Sequence, residues 1–153
     1  MAADVRNREV SRDALAALLS TALTGSGKPV VEVFGYKPRT LSGRGPYVLV
    51  LAAGTRRAKK AIGSVKRKNH FRLLIVTLVL DASADDSWTP QQVDDTLDLV
   101  DKEIADTIAD NERTNDWHNL DLDDEFSVIA PTKEFGANYM SESRIALVEV
   151  HDA

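Results

Sequence analysis

HFRLLIVTLVLDA, residues 70–82, contains the longest apolar run in the chain, Leu73 to Leu80. Extended, it would place Phe71, Leu73, Ile75, Thr77 and Val79 on one face and Leu74, Val76, Leu78 and Leu80 on the other. A strand that is apolar on both faces has to be covered on both, by helices, by a second sheet or by another subunit. Its neighbours in sequence decide which covers are available.

Upstream, YVLVLAA (47–53) and PVVEVFGYK (29–37) are rich in β-branched and aromatic residues and are separated by the turn-rich KPRTLSGRGP, which predicts strands over 30–36 and 47–53. Before them Ser11 opens RDALAALLSTAL, where Leu15, Leu18, Leu19, Ala22 and Leu23 recur at helical spacing and Gly25 supplies the stop. Downstream, Thr89, Pro90 and Gln92 occupy the N-cap, N1 and N3 positions of a capping box. The helix they open carries Val93, Leu97, Val100, Ile104 and Ile108 as one narrow stripe, flanked by Trp88 and Trp117 as its anchors to the core. FSVIAPTKEF and RIALVEV, after a polar link, read as two further strands paired as a hairpin. The order α-β-β-β-α-β-β implies an α+β domain, with two helices and a mainly antiparallel sheet of about five strands.

The 153 residues suit one domain over 1–153, and 43 % apolar with 28 % charged content suits a soluble one. The absence of cysteine removes disulfides and thiolate metal sites, and makes the inside of a cell the default compartment. The charged MAADVRNREVSRD does not read as a signal peptide, and Leu73–Leu80 falls well short of the ~18 residues of a membrane span, so no membrane is expected.

No catalytic string is present. LTGSGKP lacks the first glycine of a phosphate-binding loop, Ala22 standing in its place, and its Gly-Lys follows a helix and precedes Pro29 and a strand. NDWHNLDLDDEF gathers Asp116, His118, Asp121, Asp123, Asp124 and Glu125 without the spacing of a calcium loop, and reads as a solvated acidic segment. His70, His118 and His151 stand in no recognisable nucleophile setting. The expectation is a protein that is not an enzyme and takes no cofactor or metal.

The informative signal is the layout of charge. Arg56, Arg57, Lys59, Lys60, Lys66, Arg67, Lys68 and Arg72 fall within residues 56–72 with no acid among them. Residues 81–125 carry sixteen of the twenty-four acids, including Asp94, Asp95, Asp98, Asp101, Asp106 and Asp110 on the second helix, against Lys102 and Arg113 alone. The whole chain has a net charge of -5. Residues 55–69 read as a mobile basic loop between strands, and three roles compete for it. It could be a solvated hairpin that discourages edge pairing. It could be a nucleic-acid grip, against which stand the acidic balance and the lack of interleaved aromatic residues. Or it could be an assembly contact that meets an acidic surface on another subunit.

VVEVFGYKP after an N-terminal helix, PYVLVLAAG, a basic loop, the long FRLLIVTLVL strand, the WTPQQVDDTLDLVDKEIADTI helix and a closing strand pair together resemble the tail terminator (tail completion) family of long-tailed bacteriophages, over roughly residues 8–150. The GY-x-P after the first strand and the W-T before the second helix are the local pieces that recur. The resemblance implies a structural virion protein of a phage or prophage, a homo-oligomer, hexameric in the family's manner, whose ring caps the tail tube at the head-proximal neck and joins it to the head. Its partners would be the tail tube protein and a head-completion or connector protein, with DNA only as the passing genome; it would be made in the host cytoplasm.

By position in the chain, Arg56, Arg57, Lys59, Lys60, Lys66, Arg67 and Lys68 would then contact the tube or an adjacent ring. The six aspartates of the second helix would line a subunit interface or the channel, where an acidic wall repels DNA phosphates. Another neck protein, or a small DNA-binding module using the basic loop, are the alternatives. An enzyme with an acidic metal site around Asp116–Asp124 is the third.

Overall fold

The computed structural model describes residues 6–63, 65–84 and 87–152. Its elements are α1 (Arg8–Leu23), β1 (Glu32–Phe34), β2 (Tyr47–Lys59), β3 (Arg67–Leu80), a 3-10 turn (Ala82–Ala84), α2 (Pro90–Asp110), β4 (Asn119–Leu122), β5 (Val128–Glu134) and β6 (Ala137–His151). The strands form one curled mixed sheet in the order β1-β2-β3-β6-β4, with β5 also pairing β6. Only β1 and β2 run parallel; every other pairing is antiparallel. The α+β architecture and element order expected from sequence are present, with β4 as an additional short strand.

β3 is the axis of the sheet, pairing along its length with β2 on one side and β6 on the other. Its two apolar faces are covered differently. Phe71, Leu73 and Ile75 pack with Leu15, Leu19 and Leu23 of α1 and with Val100, Ile104 and Ile108 of α2, so both helices lie on one face. The opposite face lies inside the curl, where Tyr47, Leu49, Leu78 and Tyr139 form a smaller cluster against Phe34, Leu41 and Phe135. Leu51, Leu74 and Val76 on that face stay half-exposed, because no helix reaches them. The need for cover on both sides is therefore met fully on one side only.

Local chemistry explains the ends of the elements. Asn7 caps α1 by accepting from the Glu9 amide at 3.0 Å, which starts the helix three residues before Ser11. The Ser11 side chain is instead buried within it. Thr89 accepts from the Gln92 amide while the Gln92 side chain accepts from the Thr89 amide at 2.8 Å, completing the capping box. All five residues of the α2 stripe are buried. Trp88 and Trp117 both anchor the helix: the indole of Trp88 donates to the Leu80 carbonyl at 2.7 Å, and that of Trp117 to the Asn111 carbonyl at 2.9 Å.

β5 and β6 pair as a hairpin through Phe135 and Gly136, at φ 56° and 74°, the left-handed pair that a tight two-residue turn demands. β6 is much longer than RIALVEV, since Asn138, Ser141 and Ser143 break its apolar pattern without breaking its ladder. β1 is shorter than the run that suggests it, because its parallel partnership with β2 covers only Glu32 to Phe34.

Candidate functional site

The basic stretch is a ribbon of strand rather than a loop over 55–69: it is the far end of the β2–β3 ladder, with β6 alongside β3 as far as Lys68. β2 continues to Lys59 and β3 begins at Arg67, with Arg57 opposite Asn69 and Lys59 opposite Arg67. Only residues 60–66 connect the strands, and Ser64 among them lies outside the described residues. The correction has a physical origin. Like charges spread along a ribbon with open faces repel weakly across water, whereas each added residue pair contributes ladder hydrogen bonds. A bulge between Ala52 and Gly54, with Gly54 at φ 147°, marks where the ribbon begins on β2.

Asp152, which sequence reasoning did not single out, holds the ribbon next to its turn. Only 4 % exposed, its carboxylate accepts from the Arg67 amide at 2.9 Å and the Asn69 side-chain amide at 2.8 Å, and pairs with Arg6 at 3.1 Å. Its backbone amide donates to the Arg67 carbonyl, and its carbonyl accepts from Lys60 Nζ at 2.9 Å. Asn69 is fully buried, donating also to the Val150 carbonyl and accepting from Arg57 at 2.7 Å. Arg57 further donates to the Arg6 carbonyl and lies over the Phe71 ring.

The hydrogen bond from Asn69, ahead of the Arg6 and Arg67 contacts, holds the Asp152 carboxyl down from its ordinary 3.8 to about 2. A depressed carboxylate stabilises the fold fully above its unfolded value and loses that contribution as pH falls through the folded one. The wild-type protein should therefore lose thermal stability between about pH 4 and pH 2 more steeply than Asp152→Asn, measured by calorimetry across that range. Parallel pH profiles would contradict the clamp.

The seven basic candidates consequently divide. Arg56, Arg57, Lys59, Lys60 and Lys66 are exposed, while Arg67 and Lys68 are half-buried where β6 ends beside β3. Arg57 and Lys60 have fixed partners there. The tip adds two apolar side chains the charge count ignores, Ile62 and Val65, exposed to 106 % and 84 %.

On α2, Asp94, Asp95, Asp98, Asp106 and Asp110 are exposed and Asp101 is half-buried. Asp101 pairs with Arg144 of β6 at 2.9 Å, and Asp106 with Lys102 one turn earlier at 2.6 Å. Glu142 lies beside this face, buried and bonded to Ser127 at 2.6 Å; burial first, then the nearness of Asp101 and Asp98, raises its pKa. The ribbon's carboxylate partner is thus Asp152, which belongs to neither of the two charge blocks.

The histidines converge although the sequence separates them. His118 and His151 stack with centroids 4.1 Å apart, His151 Nε2 lies 2.9 Å from Glu149, and His70 is the cross-strand neighbour of Glu149. His118 Nδ1 accepts from the His151 amide at 3.2 Å, and burial followed by the adjacent His151 lowers its pKa. Among the described residues, no group of three or more His, Asp or Glu is placed to hold a metal ion. The residues of NDWHNLDLDDEF are instead drawn apart: Trp117 and Leu120 enter the core, Asp123 faces Arg72 at 3.9 Å, and β4 interrupts the supposed loop.

No helix of the described residues is long and apolar enough to cross a membrane. No family model matches the chain, and no curated protein matches it.

Proposed function

We propose that the chain is a structural protein of a phage or prophage virion, a tail terminator whose ring caps the tail tube and joins it to the head. The observation that carries this reading is the basic ribbon, held by Asp152 just before its turn and ending in exposed Ile62 and Val65. A turn over 60–66 beyond the end of the ladder, combining positive charge with apolar side chains, suits contact with protein, because apolar anchors supply affinity while the charges steer encounter and register. The acids of α2 lie on a separate surface, and one molecule bearing both suits the head-to-tail contacts that close into rings. In the ring, the ribbon meets the tube or an adjacent ring, and the aspartates of α2 face a neighbour or the channel.

Light scattering on the purified chain, alone and with the tail tube protein, tests the assembly. The expected species has six times the 16.8 kDa chain mass. A monomer under both conditions would contradict it.

A second reading, a DNA-binding module, draws on Arg6, Arg8, Arg57 and Arg67, which line an open hollow of about 700 Å³ beside the ribbon. It requires duplex DNA affinity that falls steeply between 50 and 200 mM salt, on the order of 10³-fold for about six phosphate contacts. No binding at low salt would remove it.

A further inference from the structure

The sheet face without helices carries a second surface whose chemistry mirrors that of the ribbon tip. Beside β5, Leu74, Val128, Ile145 and Phe126 line a hollow of about 210 Å³. Phe126 is 98 % exposed and Val128 62 %, so this apolar surface has no cover among the described residues. Asp123 and Glu125 stand at its rim, and Asp124 between them is exposed. Two cations are close by, but Arg144 is engaged by Asp101 at 2.9 Å and Arg72 faces Asp123 at 3.9 Å. The hollow is below the roughly 300–1,000 Å³ of small-molecule pockets, and is of a size for one or two inserted side chains.

The chain's own ribbon cannot fill it. Val128 lies level with Ser143 and hence with Val76, eight residues along β3 from Lys68. At about 3.3 Å per residue, that places the turn end of the ribbon's ladder about 26 Å away, with the tip pointing farther off. The ladder that holds β2, β3 and β6 together prevents it from folding back.

We infer that this hollow receives the ribbon tip of a second copy of the chain. Ile62 or Val65 enters between Phe126 and Val128, and Lys59 and Lys66 lie over Asp123, Asp124 and Glu125. Each side offers an apolar anchor with charge of opposite sign, and the two surfaces sit on different parts of the molecule, so the contact is heterologous and repeats from copy to copy. The inference rests on the ring reading above and gives the ribbon a partner other than the tube or adjacent ring named there: the segment around Phe126 of a second copy, with two exposed apolar residues at one hollow, rather than α2, on which Leu99 is the exposed large apolar residue.

The chain has no cysteine, which makes the test direct. Ile62→Cys and Phe126→Cys, both at exposed positions, are prepared separately, mixed and oxidised mildly. Disulfide between the two variants should form at least tenfold faster than disulfide within either variant alone. The double variant should give a covalent ladder. Equal rates, or no disulfide, would overturn the inference. Light scattering on the same variants under reducing conditions separates its failure from that of the ring: a ring without the selective disulfide refutes this docking and leaves the ring, whereas the selective disulfide in open chains supports the docking and refutes closure.

Discussion

Replacing Trp117 by alanine should destabilise the protein by about 3–5 kcal/mol, the range for emptying a large aromatic site in a packed core. The indole is 3 % exposed and packs in the main cluster with residues of both helices. Its nitrogen also holds the end of α2, donating to the carbonyl of Asn111, whose own side chain donates to the Thr107 carbonyl at 2.8 Å. The substitution removes packing and the cap together, with a total stability of only about 5–15 kcal/mol to draw on. Trp117→Phe, which keeps an apolar ring, should lose less. Urea unfolding monitored by circular dichroism measures both, and a loss below about 1 kcal/mol for the alanine variant would contradict the core placement.

Asn69→Leu should have the next largest effect, and a local one. Leucine keeps the volume but removes three hydrogen bonds, to Val150, Asp152 and Arg57. Leaving a buried carbonyl such as that of Val150 without its donor costs roughly 1–3 kcal/mol. Because Asn69 is the leading cause of the depressed Asp152 carboxyl, the variant's acid-sensitive range should move upward from about 2 toward the ordinary 3.8. Amide hydrogen exchange should accelerate along Arg67–Asn69 while α2 remains protected. Unchanged exchange in the ribbon would show that Asn69 does not hold it.

These two sites also show what the sequence could convey. α2 was legible because capping and periodicity are local: Thr89, Gln92 and the stripe from Val93 to Ile108 need no distant partner to be recognised. The β3 core was legible because apolar residues on both faces leave few alternatives. The extent of the ribbon was not, since Lys59, Arg67 and Lys68 are poor strand formers held in register by Asn69 and Asp152, the latter 85 positions from Arg67. β4 escaped for a related reason: of its four residues only Leu120 is buried, and Asp121 carries the signature of solvent.

The candidate interface was half visible. Charge counting located the ribbon and the aspartates of α2, but a count of charges passes over Ile62, Val65 and Phe126, whose exposure depends on the three-dimensional arrangement. That Asp152 is the ribbon's partner within the chain could not be found by comparing blocks of like charge. It is a single carboxylate, brought to the ribbon by the ladder between β3 and β6.

Electron microscopy of particles assembled without this protein tests the proposed role most directly. On that role, deleting the gene from a phage or prophage genome that carries it should yield tails of irregular, extended length that are not joined to filled heads. Normal-length tails joined to heads in the deletion lysate would contradict the assignment.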